Sequence, residues 1–150
     1  MENQNVIATI NEVIETCKDG EMGFRTCAEN VEDSEIKGML TERARHCAEA
    51  ASELQNEVRR LGGDPDTHGS VSGILHRGWL NVKSAITGKD EAAVLAECER
   101  GEDIAVRRYE DALAQDLPAD IRSVIERQYQ GVLANHDVVR NLRDRARAHA

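Results

Sequence analysis

The chain has 150 residues, a formal net charge of -9, 31% charged and only 3% aromatic residues, and two prolines. That length suits one domain, residues 1–150, with one real core, and a composition rich in Ala, Glu, Arg and Leu predicts an all-α fold. The acidic balance argues against a nucleic-acid or anionic-membrane partner, and no stretch supplies the roughly 18 apolar residues of a membrane span.

The N-terminus shows no charged leader followed by an apolar run, which predicts a cytoplasmic protein. Cys17, Cys27, Cys47 and Cys98 are then expected to be reduced thiols, and their spacing matches no zinc-finger pattern. Helical periodicity begins at about residue 3 and runs to about residue 30. A second helix starts near Asp33 or Ser34, both good N-cap residues, and should stop at Gly62-Gly63. Residues 64–69 (DPDTHG) read as a loop.

Ser70 can cap a shorter helix through about Ile86, stopped by Gly88. Its apolar residues Val71, Ile74, Leu75, Trp79, Val82 and Ile86 recur at helical spacing, and His76 is expected at its edge in a structural role. Asp90 caps a third long helix to about Gln115, and Pro118 falls at or near the first turn of a fourth that reaches about Arg147. The basic run 140–147 (RNLRDRAR) forms its last turns, where cations complement the helix dipole. The expected architecture is therefore a four-helix bundle, two antiparallel helical hairpins joined by a long crossover of about 27 residues that contains the short helix.

Two segments echo each other, residues 17–21 (CKDGE) and 98–102 (CERGE). At about 100° per residue, both place a cysteine and a glutamate on the inward stripe of their helices. Glu21 and Glu102 thus occupy seam positions where a leucine would be expected. Gly20 and Gly101 flank the stripe and allow close helix approach. On helix two the stripe contains Arg43 and Cys47, with His46 at its boundary and Glu49 outside. On helix four it contains Gln128, Val132 and Asn135, with His136 near enough to reach inward. Folding each hairpin at its loop brings these polar residues into one layer at mid-height, with Glu21 facing Arg43.

The motifs KDGEMGFR (18–25), LGGDP (61–65), LHRGW (75–79), ECERGED (97–103) and NHDVVRNLRD (135–144) span nearly the whole chain. Together they resemble a bacterial ferritin-like four-helix-bundle family of unknown function. The resemblance implies a ferritin-like fold and a cytoplasmic bacterial protein, and it implies no activity. In di-iron bundles of this fold, helices one and three each give a Glu, and helices two and four each give a Glu-x-x-His pair. The carry-over reaches Glu21 and Glu102, with His46 and His136 as further metal candidates. His46 precedes Glu49 in reverse order, and Leu133 stands where His136 would need its Glu partner.

Three readings of the layer compete. In the first, Glu21 pairs with Arg43 and Glu102 bonds to Gln128, Tyr109 or Asn135, as buried charges require. In the second, Glu21, Glu102 and the histidines hold iron or zinc and support an oxidoreductase. In the third, Cys17, Cys47 and Cys98 join them in a mixed zinc site or a redox pair. The shortage of carboxylates and the cation Arg43 favour the first. That reading makes the protein a non-enzymatic bundle, acting as a homodimer or through a protein partner. No Ser-His-Asp set, phosphate loop or nucleotide motif is present.

Overall fold

The computed structural model describes residues 2–65 and 91–148. They form four α-helices, α1 (Asn3–Glu29), α2 (Ser34–Arg60), α3 (Glu91–Leu113) and α4 (Ala119–Ala148). Among the described residues there is no strand. The expected short helix of residues 70–86, with His76, lies outside them.

Local chemistry sets the helix ends. The Asp33 side chain accepts from the Ile36 amide at 3.0 Å and caps α2. At the other end Gly62 adopts φ +83. Its amide donates to the Arg59 carbonyl at 2.9 Å, and the Gly63 amide donates to Val58 at 3.0 Å. These two bonds make a Schellman motif, which the paired glycines permit. Pro118 sits just before α4, and its carbonyl accepts the first helical bond, from Arg122 at 2.9 Å. The Arg122 guanidinium reaches back to the Leu113 and Gln115 carbonyls, so one side chain adds donors at the end of α3 and just beyond it.

Each long hairpin packs along its length, α1 on α2 and α3 on α4. The hairpins join mainly through α1 and α3, while α2 and α4 touch least. The diagonal pairs, α1 with α4 and α2 with α3, are separated by the core. That core is apolar at both ends. One cluster gathers Phe24, Cys27, Leu40, Leu95, Cys98 and Val139 among others. The second gathers Ile10, Ile14, Leu54, Tyr109, Ile121 and Ile125. At mid-length Gly20 permits close approach of α1 and α2, because a Cβ there would stand 3.1 Å from Cys47 Sγ.

Candidate functional site

Between the two apolar clusters lies a polar layer. Arg43 on α2 donates from Nε to Glu102 Oε1 at 3.0 Å and from Nη2 to Oε2 at 3.5 Å. These residues sit on diagonal helices, so the ion pair crosses the centre of the bundle. Glu102 is 1% exposed and Arg43 8%. The guanidinium also lies 5.8 Å from the centre of the Phe24 ring, within cation–π range. Burial pushes the Glu102 carboxyl above the usual carboxylate range, while Arg43 pulls it back toward the charged form. Asn135 stands close enough to favour that charged form as well. Its Nδ2 is nevertheless buried without a hydrogen bond of normal length among the described residues.

A second set of bonds links all four helices. Tyr109 on α3 meets Cys17 of α1, with its hydroxyl 3.2 Å from Sγ, and donates to Gln128 Oε1 on α4 at 2.9 Å. Gln128 Nε2 in turn donates to Glu53 at 2.7 Å and to the Ala50 carbonyl at 3.3 Å, both on α2. Every polar atom of this chain is used, as a buried network requires.

Among the described residues the layer is open on one side. Because α2 and α4 stand apart, a cleft of about 720 Å³ runs between them, with Cys17, Gly20, Arg43 and Glu102 at its back and His46, Gly131 and Val138 near its mouth.

The four sequence-derived metal candidates do not meet. Glu21 lies at the edge of the α1 stripe, its side chain 18% exposed, between Lys18 and Arg25 of its own helix. Arg43 bonds Glu102, not Glu21 as the hairpin register suggested, because it points diagonally and not toward its hairpin neighbour. His46 is exposed and faces Glu42 at 3.2 Å. His136 bonds to Asp103 on α3. With Glu102 held by a cation and no Glu-x-x-His pair present, these residues as arranged do not fit a di-iron carboxylate centre. Among the described residues one other group brings potential ligands together, Glu99, Asp103 and His136, whose ligand atoms lie within 4.8 Å of one another. Sequence reasoning singled out neither Glu99 nor Asp103. Their i, i+4 spacing opposite His136 was the available signal. It also missed Asp19 and Glu97, which are 2% and 4% exposed.

The thiols are free and buried. Burial raises Cys17 to about 11 and Cys47 to about 12. Cys98 is raised as well, chiefly by burial and then by its hydrogen bond with Cys27. Buried neutral thiols of this kind are inert. At about pH 8, therefore, a disulfide reagent should modify none of the four cysteines in the native protein and all four after unfolding. Folded Cys17, Cys47 and Cys98 keep their protons after the unfolded thiols have lost theirs. Stability should consequently fall as pH rises from the ordinary thiol value of 9.0 toward 11–12. Urea midpoints across that range check the slope, and a midpoint that rises would contradict it.

A family model described as "Domain of unknown function (DUF2383)" matches residues 5–115. No curated protein matches the chain. Among solved structures, the chain is similar to a dodecameric thioferritin, the bacterioferritin-related protein from Bacteroides fragilis. The TM-score is 0.77 at 13% identity, over 99% of this chain and 90% of that one. At that identity the likeness shows the fold, a ferritin-like four-helix bundle.

Proposed function

The chain belongs to the DUF2383 family of domains of unknown function, and we propose that it is a ferritin-like bundle that works by binding and self-assembly, without an iron-oxidising centre in its core. One observation carries this reading. The Arg43 guanidinium stands in the middle of the four-helix frame, bonded to Glu102 at 3.0 Å. A fixed cation there supplies the positive charge that carboxylates would otherwise take from metal ions, and it repels a metal. Self-assembly is supported by the dodecameric state of the Bacteroides fragilis protein that shares the fold. Among the described residues no helix is long and apolar enough to cross a membrane, which is compatible with assembly in aqueous phase.

The test is aerobic oxidation of ferrous iron in the presence of the protein, beside light scattering after gel filtration. The expected results are oxidation at the rate of buffer alone and a discrete homo-oligomer. A saturable acceleration that disappears in Glu102→Gln would overturn the first half. A monomer at tens of micromolar would overturn the second.

A second reading, metal binding, is supported by the group Glu99, Asp103 and His136. Two carboxylates and an imidazole suit zinc or iron. Uptake there would have to draw Glu99 away from Arg143, its present ion-pair partner. One equivalent of zinc, lost in His136→Ala and kept in Glu102→Gln, is the signature of this site.

A further inference from the structure

The cleft between α2 and α4 is more than a gap left by loose packing. Its volume of about 720 Å³ falls within the range of small-molecule sites, roughly 300–1,000 Å³. Its floor carries the Arg43–Glu102 ion pair, and Asp19, Glu49, Glu53 and Arg127 also line the cleft, so carboxylates outnumber cations around it. An anion reaching Arg43 would also meet Glu102, and a cation reaching Glu102 would meet Arg43. A neutral ligand meets neither penalty.

The unused polar groups at the floor are donors. Arg43 bonds Glu102 through Nε and Nη2, and its Nη1 makes no hydrogen bond among the described residues. Asn135, which also lines the cleft, has a buried Nδ2 that lies near the Glu102 carboxylate but makes no hydrogen bond of normal length to it or to any other described residue. The Asn135 donor is the buried one left without a normal acceptor; such a donor costs free energy, and an acceptor brought by a ligand would recover it. Phe24, Ala50, Ala105 and Val132 give the cleft apolar wall surface. A Cβ built on Gly131, a cleft residue, meets nothing within 4 Å.

From these features we propose that the cleft between α2 and α4 binds a neutral small molecule with an apolar body and a carbonyl-type oxygen, which accepts from Arg43 and Asn135 at the floor. This rests on the reading that Arg43, not a metal, holds Glu102.

The neutral aromatic ketone prodan, whose emission reports both burial and hydrogen bonding, is the probe, titrated into full-length protein that has been treated with a chelator. Saturable binding of one probe per chain with a blue-shifted emission is the expected result, and the anionic dye anilinonaphthalene sulfonate should bind at least about tenfold more weakly. Gly131→Leu should weaken prodan by about tenfold or more with helicity and melting temperature unchanged or raised, because the new side chain enters open space and leucine favours a helix over glycine. Asn135→Leu, which removes the donor and keeps the bulk, should weaken it by several fold. No saturable binding in the wild type, or binding indifferent to Gly131→Leu, would overturn the proposal. Equal affinity for the anionic dye would overturn the neutral-ligand assignment. Iron oxidation is measured separately. A failed cleft with no iron oxidation rejects the ligand and leaves the bundle reading intact, whereas iron oxidation lost in Glu102→Gln rejects both.

Discussion

Replacing Glu102 by Gln is expected to cost about 3–5 kcal/mol of folding stability, read as a lower urea midpoint. The substitution keeps the shape and one acceptor oxygen but removes the charge. Arg43 is 8% exposed and cannot turn out to water without leaving its place beside Phe24. An unbalanced guanidinium is therefore left in the core. Glutamine cannot reproduce the charge-assisted bond at 3.0 Å. Arg43→Met alone should be costly for the converse reason, since it leaves the Glu102 carboxylate desolvated without its cation. The double variant Arg43→Met with Glu102→Leu should regain most or all of the loss, because replacing a buried pair by apolar residues of similar volume is often neutral or stabilising, by about 1–4 kcal/mol. Non-additivity of that size is the mark of a direct pair. Strictly additive losses would mean that Arg43 and Glu102 do not depend on one another.

The second large effect is expected at Tyr109. Its ring is 2% exposed, and its hydroxyl connects Cys17 to Gln128. Tyr109→Ala removes a large buried side chain from the cluster formed with Ile10, Ile14 and Ile125, and should cost about 3–5 kcal/mol. Tyr109→Phe keeps the ring and strands Gln128 Oε1 and Cys17 Sγ without their partner, for a loss of about 1–3 kcal/mol. The difference between the variants separates packing from the polar chain. The Phe variant should also free Gln128 to move, loosening its bond to the Ala50 carbonyl across the cleft. Amide exchange at α2 residues near Ala50 should then quicken. An unchanged urea midpoint in Tyr109→Phe would show that the hydroxyl contributes nothing to the helix layer.

The helix ends were legible because their signals are local. An aspartate before a helical run, two glycines after one and a proline before another each act on neighbouring backbone, and Asp33, Gly62 and Pro118 all stand where that chemistry requires. The hairpins followed from loop lengths, and the mid-height polar layer followed from the helical period. The identity of the partners did not. A helix turned by a few tens of degrees directs a long side chain to a different neighbour, and periodicity does not fix rotation that finely. Arg43 therefore meets Glu102 on the diagonal helix, while Glu21, one turn from Arg25, is satisfied on its own helix. The inward faces are also wider than a strict heptad seam, which is how Asp19 and Glu97 come to be buried. The cleft was illegible for another reason. It arises from the separation of α2 and α4, two helices with no loop between them, and nothing in either sequence records that spacing.

Elemental analysis of the purified, tag-free protein, after aerobic loading with iron and zinc and gel filtration, tests most directly whether a salt bridge holds the centre of this bundle. Wild type, Glu102→Gln and His136→Ala would be run side by side. The Arg43–Glu102 pair predicts that no retained metal depends on Glu102. One or two metal ions per chain, present in the wild type and lost in Glu102→Gln, would contradict it and place a metal centre where the guanidinium lies.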